Sequence, residues 1–282
     1  MKFCKLCVLP DTRPNLHIDS DGVCNACKNH ANNINIDWSK RKKEFSKLIN
    51  SFKSNNNYDC IIPVSGGKDS TWQVATLLKY GLKPLAITYK SPARTIIGQE
   101  NLDNLKKLGV DHLDFEINPK IESEFMLQSL KQKGSTAIPM HFAIFNIPLR
   151  IAVSLKIPLI IYGENSAKEY GGSTEDSSKR KIDYSWFSKY GVTNSTDISY
   201  WYSKKLTKKD LYIYQRPSEN LLKKNNITPL FLGYYFKWDP IKTFNFAKKY
   251  GFRNTLKSKK TGLYSFADID CDFISIHHWL KW

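Results

Sequence analysis

With 282 residues, 41% apolar and 24% charged, the chain can bury a sizeable core, which excludes collagen-like, disordered and disulfide-framework classes. Its formal charge of +17, from 43 basic and 26 acidic residues, attracts phosphate-bearing ligands, whether nucleotide or RNA. Most of the basic residues are Lys rather than base-reading Arg, and they are scattered, as at 40–43, 179–181 and 258–260, so they read as solvated faces.

The most apolar stretch, Ile138 to Tyr162, is interrupted by His141, Asn146, Arg150 and Lys156. That leaves no run of about 20 apolar residues to cross a bilayer. The N-terminus MKFCKLCVLPDTRPN lacks the apolar segment of a signal peptide. The expectation is a cytoplasmic protein with no membrane partner.

In chain order, the first feature is a pair of cysteine knuckles. Cys4, Cys7, Cys24 and Cys27 form C-x2-C-x16-C-x2-C, a zinc spacing in which each tight turn points two thiolates at one ion. Pro10, Pro14, Asp19, Asp21 and Gly22 between them suit a short hairpin. Four cysteines leave no open coordination position, so the predicted Zn2+ is structural; redox or iron–sulfur use is the alternative. Cys60 and Cys271 read as core or free thiols. Apolar residues at 38, 45, 48, 49 and 52 predict a helix. SNNN (54–57) then breaks the pattern. The predicted division is a zinc-knuckle module with its linking helix over 1–57, followed by a larger domain over 58–282.

The larger domain alternates strand and helix: DCIIPV (59–64), a helix from Asp69 to Tyr80, PLAITY (84–89), a helix from Ile96 to Leu108, and HLDFEI (112–117). Helices over about 120–133 and 139–155 precede a strand IPLIIY (157–162). Buried apolar strands separated by helices predict an α/β fold with a doubly wound parallel sheet. From 173 to 228 the chain is polar and basic, and its periodicity places no element.

Chemistry concentrates after the first of these strands. PVSGGKDSTWQ (63–73) sets two glycines between strand and helix, a geometry that turns backbone N–H groups toward an anion at a helix N-terminus. Ser65 and Ser70 add hydroxyls and Lys68 a cation. It is neither a Walker A loop, which needs G-x4-G-K-[ST], nor a G-x-G-x-x-G fingerprint. GENSAKEYGG (163–172) follows the last strand, so Glu164, Asn165, Glu169 and Tyr170 are expected at the carboxyl edge of the sheet, where ligands sit in open α/β folds. Glu164 suits a hard cation or a substrate hydroxyl. His141, His277 and His278 read as hydrogen-bonded structural residues.

SGGKDS (65–70) resembles the loop of the PP-loop ATP pyrophosphatases. Together with CKLCVLPDTRPN (4–15), DGVCNAC (21–27), GVDHLDFEINPK (109–120), IPLIIYGENSAKEYGG (157–172) and IDCDFISIHHWLKW (269–282), it resembles the N-acetyl sugar amidotransferases of surface-polysaccharide biosynthesis. The resemblance implies ATP cleavage between the α- and β-phosphates. It places Ser65, Gly66, Gly67, Lys68, Asp69, Ser70 and Thr88 on the nucleotide, Lys68, Asp69 and Glu164 in catalysis, and Mg2+ on the phosphates. Glu164, Asn165, Glu169 and Tyr170 would hold a nucleotide- or CMP-linked N-acetyl sugar. The acetamido oxygen attacks the α-phosphorus, and ammonia then displaces AMP to leave an acetamidino group for lipopolysaccharide or related glycans. No glutaminase pattern is present, so ammonia is expected from a separate glutaminase partner. Tyr162 stands where the family usually has Trp. Members usually continue past HHWLKW, so a C-terminally shortened chain is expected. One alternative is a PP-loop tRNA thiolation enzyme, for which Cys271 is the available downstream cysteine. Another is a zinc-bearing nucleic-acid module, which leaves SGGKDS unexplained.

Overall fold

The computed structural model describes residues 1–12, 15–32, 36–53, 57–163, 165–170, 172–193, 195–258 and 264–281. The cysteine knuckles lead into α1 (Asn25–Asn32), and α2 (Trp38–Asn50) follows. Asp37 caps α2 by accepting the Lys40 N–H at 2.9 Å. The sheet then begins: β1 (Cys60–Pro63), α3 (Lys68–Lys79), β2 (Pro84–Tyr89), α4 (Ile96–Lys106) and β3 (Asp111–Phe115). Next come α5 (Pro119–Lys133), α6 (Ile138–Leu155) and β4 (Leu159–Tyr162). From α2 to β4 the elements lie within a few residues of their predicted places, whereas α1 was not predicted.

The segment that periodicity left unplaced is ordered from short pieces. These are α7 (Ser166–Tyr170), α8 (Thr174–Ser177), α9 (Tyr184–Tyr190), two 3-10 turns (Ile198–Trp201 and Tyr212–Tyr214) and α10 (Glu219–Lys224). They lead to a fifth strand, β5 (Thr228–Phe231), then α11 (Leu232–Tyr235), α12 (Pro240–Lys248) and α13 (Asp272–Lys281).

The five strands are parallel in the order β3-β2-β1-β4-β5. Cys60 pairs with Pro84 on one side and Leu159 on the other. The winding direction therefore reverses between β1 and β4, and their carboxyl ends open the crevice where open α/β sheets take ligands.

Alternation along the strands divides the core in two. Ile61, Leu85, Ile87 and Ile160 face Phe125 of α5, Phe142 and Ile147 of α6, and the ring cluster Trp186, Trp201 and Tyr214. Cys60, Ile62, Ala86 and Ile161 face Val74 and Leu77 of α3, Leu102 and Leu105 of α4, and Phe45 and Ile49 of α2. The predicted linking helix α2 is thus a layer of the sheet domain. Truncating its fully buried Phe45 would cost about 3–5 kcal/mol, more than a linker contributes. Cys60 is core, as expected, and burial pushes its thiol pKa up.

Among the described helices α6 is long and apolar enough to cross a membrane by length and composition, yet half of it is buried inside the protein. Asn146 and Arg150 of α6 donate to the carbonyls of Tyr214 and Gln215 at 2.7 and 2.8 Å, tying the second 3-10 turn to the sheet layer. The cysteine module docks through asparagines. Asn25 and Asn29 each donate to Gly172 O at 3.2 Å, and Asn15 donates to Lys189 O at 3.3 Å.

Candidate functional site

A cavity of about 1080 Å³ opens over the carboxyl ends of β1 and β4. Ser65, Gly67, Asp69, Ser70 and Thr88 line it on the loop side, and Met140, Phe145 and Tyr162 form an apolar wall.

The loop is shaped by its two glycines in different ways. Gly66 has φ +86°, and a Cβ there would lie 2.8 Å from the backbone nitrogen of Leu102, so only glycine turns at this point. Gly67 is the N-cap of α3, and a Cβ there would meet only Ser65 Oγ at 3.3 Å. Glycine offers the first-turn amides no side-chain oxygen, and a helix leaves its first four N–H groups without intrahelical acceptors. Ser70 Oγ accepts the Ser65 N–H at 3.0 Å and Ser65 Oγ accepts the Gly67 N–H at 3.3 Å, which bends the loop around its own hydroxyls. These features fit a polyphosphate.

Lys68 is buried and does not line the cavity. Its ammonium pairs with Asp69 Oδ2 at 2.5 Å and lies 5.2 and 5.4 Å from the ring centres of Trp238 and Phe266. Trp238 donates to the other Asp69 oxygen. Both Asp69 oxygens thus have donors, with which a cation there would compete. Thr88 Oγ1 donates to Val64 O at 2.8 Å and lies 2.9 Å from His112 Nε2. Because its one proton goes to the carbonyl, His112 must donate from Nε2. Burial lowers the His112 pKa.

Of the residues expected on the substrate side, Glu164 lies outside the described residues, as do the side chains of Glu169 and Tyr170. Asn165 is buried and does not line the cavity. Its amide donates to Asp176 O at 3.0 Å while its oxygen accepts the Ala167 N–H and the Trp186 indole N–H, each at 3.0 Å. Those bonds commit its polar atoms to the α7–α9 scaffold. Beside it Asp176 is a second organiser. Although burial opposes its charge, Lys179, Ser173 and Tyr190 hold its pKa down to about 2.

Several cavity residues were not singled out from sequence. Arg94 makes a two-pronged pair with Asp114, both contacts 2.6 Å. Burial alone would raise the Asp114 pKa, but the guanidinium holds it below the usual carboxylate range. Lys189, Tyr190 and Thr193 form the opposite rim. The segment Asp268–His278 supplies Asp268 and Asp270, beside Cys271, His277 and His278, which the sequence had marked as a core or free thiol and structural histidines. Backbone bonds stitch it to the loop after β2: Thr95 N–H donates to Asp270 O at 3.1 Å and Asp272 N–H to Ala93 O at 3.0 Å. Such long-range stitching leaves no local pattern. The density of titratable residues in IDCDFISIHH was the available signal.

The four N-terminal cysteines form one cluster, with all sulfurs within 4.8 Å of one another. The Cys4–Cys27 and Cys7–Cys24 separations are 3.9 and 3.6 Å, and a tetrahedron of Zn–S bonds near 2.3 Å has edges of about 3.8 Å. The donor set fits the ion. Backbone N–H groups, chiefly that of Cys7, lower the Cys4 thiol to about 6, while burial pushes Cys24 and Cys27 up. Metal binding there would release protons.

No protein-family model matches the chain, and no curated protein matches it. Solved structures do. An NMN synthetase from Francisella tularensis is 15% identical over 80% of this chain and 100% of that one, with a TM-score of 0.35. An NH3-dependent NAD synthetase from Campylobacter jejuni is 15% identical over 79% and 100%, with a TM-score of 0.36. A tRNA thiolase from Methanococcus maripaludis, with its 4Fe-4S cluster, is 14% identical over 99% and 80%, with a TM-score of 0.39.

Proposed function

We propose that the chain is an ATP-dependent amidotransferase of PP-loop type, which converts the acetamido group of an N-acetyl sugar to an acetamidino group. The observation that carries this reading is the SGGKDS loop at the reversal point of a parallel sheet, opening onto a cavity of about 1080 Å³. A cavity this large exceeds what a nucleotide alone requires. ATP places its polyphosphate on the first-turn amides of α3, which have no intrahelical acceptor. Lys68 would neutralise charge on the phosphates, and Asp69 would hold in part a Mg2+ ion that supplies further neutralisation when bound. The acetamido oxygen attacks the α-phosphorus and pyrophosphate leaves. An amide carbon is a poor electrophile, and adenylylation converts its oxygen into a good leaving group; ammonia then displaces AMP. Positioning and charge neutralisation supply most of such catalysis.

Glu164 is assigned to the sugar or to the Mg2+ on the phosphates from the GENSAKEYGG resemblance. The sugar is nucleotide- or CMP-linked, ammonia comes from a separate glutaminase partner, and neither membrane nor nucleic acid is needed. The cysteine module holds a structural Zn2+. A second reading, tRNA thiolation, draws on Cys271, which is buried and lines the same cavity, and on the +17 charge.

The test is product analysis with ATP, ammonium and candidate N-acetyl sugars. Release of AMP and pyrophosphate, with a sugar product about one mass unit lighter, supports the proposal. ADP and phosphate, or a thiolated tRNA with an untouched sugar, overturns it.

A further inference from the structure

Three of the chain's six histidines meet on one wall of this cavity, brought from α6 and α13. The His141 and His277 ring centres are 5.8 Å apart, and those of His277 and His278 5.7 Å. One short segment orients the inner two. His141 Nδ1 lies 2.7 Å from Ala137 O, and His277 Nδ1 lies 3.0 Å from Ser135 Oγ, which also accepts the Ala137 N–H. A carbonyl can only accept, so His141 Nδ1 carries the proton and Nε2 is its basic nitrogen. A backbone carbonyl fixing one imidazole nitrogen so that the other handles protons is the arrangement a general base needs.

Resting on the adenylylation reading above, we propose that His141 is the general base of the second half-reaction. Ammonia's lone pair forms the new C–N bond as the C=N π pair moves onto the sugar nitrogen, which leaves the ammonia-derived nitrogen with one proton too many. His141 Nε2 takes that proton, the C–O bond breaks, and its electron pair leaves on the phosphate oxygen of AMP. On the same wall His278 Nδ1 lies 3.4 Å from Asp268 Oδ2. Among the described residues, the other charged groups lining the cavity are Asp69, Asp270, Arg94 and Lys189.

The test separates the two half-reactions in the full-length chain. Sugar-dependent exchange of labelled pyrophosphate into ATP reads adenylylation, and mass spectrometry of the amidine reads nitrogen transfer. His141→Asn keeps a donor near the Nδ1 position and removes Nε2. Exchange is expected to stay within about twofold while amidine formation falls about a hundredfold or more, the usual size of a lost general base. Hydroxylamine in place of ammonium gives a more acidic adduct, which needs less help, so the defect should shrink to about tenfold. Equal loss of both half-reactions, or an equal defect with both nucleophiles, overturns the assignment and leaves His141 a structural residue. If His141→Asn does not fold, as judged by circular dichroism, His141→Gln is read by the same criteria. Failure of the unaltered protein to catalyse exchange removes the adenylylation reading itself.

Discussion

Trp238 donates its indole N–H to Asp69 Oδ1 at 2.8 Å, and the same ring lies 5.2 Å from the Lys68 ammonium. The loop's cation and its carboxylate are thus both held from outside the cavity by one aromatic residue. Polyphosphate must draw Lys68 from that pairing. Hydrogen bonds to charged groups contribute about 1.5–3 kcal/mol, so Lys68→Met should weaken ATP binding about tenfold or more. ATP should also change the Trp238 fluorescence, a response absent from both Lys68→Met and Trp238→Phe. Titration calorimetry and fluorescence check this; unchanged ATP affinity in Lys68→Met defeats it.

The two glycines should fail in different ways. Gly66→Ala places a methyl against the Leu102 backbone at positive φ, a strain of about 1–3 kcal/mol, and should lower the melting temperature. Gly67→Val, whose Cβ would press only on the Ser65 hydroxyl at 3.3 Å, should keep the fold and lose nucleotide binding. Calorimetry paired with thermal melts distinguishes them. A Gly67→Val variant that binds ATP normally counts against the cradle.

The cysteine cluster should hold about one zinc per chain by elemental analysis. Cys24→Ser, which removes a fully buried ligand, should release the metal and unfold the N-terminal module. Iron with visible absorbance in place of zinc moves the balance to thiolation.

Much of this architecture was legible beforehand, for physical reasons. Strands β1, β2 and β4 are covered on both faces, so CIIP, PLAITY and LIIY stand out as unbroken apolar runs. Strand β5 did not stand out: TPLF is four residues long, contains Pro229, and owes its burial to pairing with β4. The pieces between 173 and 228 are each too short to show a period. Their anchors are single caps, such as Asp183 and Ser218, and single rings, such as Trp186 and Trp201. Asn165 looked like a ligand contact because it follows a strand. Its indole partner lies 21 residues away, beyond any local reading.

Glu122 gives a pH signature. Burial pushes its carboxyl pKa from the ordinary 4.5 up to about 7, although the Tyr89 hydroxyl, which donates to it, pulls the other way. A raised carboxyl favours the native state while protonated. That contribution is full below about 4.5 and declines as the unfolded chain ionises first, levelling off above about 7. Glu122→Gln, which keeps an acceptor for Tyr89, should therefore be more stable relative to the unaltered chain at pH 8 than at pH 5. Denaturant midpoints at the two pH values measure it. An identical difference at both would show that Glu122 does not titrate in this range.

Asn15 belongs at once to the cysteine module and to the cavity. Its carbonyl accepts from Asn25 of α1 at 3.0 Å, its amide grips the Lys189 carbonyl, and it lines the cavity itself. The cysteine module is in this sense a cornerstone of the cavity rather than an appendage. Thermodynamic reciprocity then ties the two ends together: to whatever degree a bound ion firms up that wall for a guest, the guest tightens the grip on the ion by the same factor.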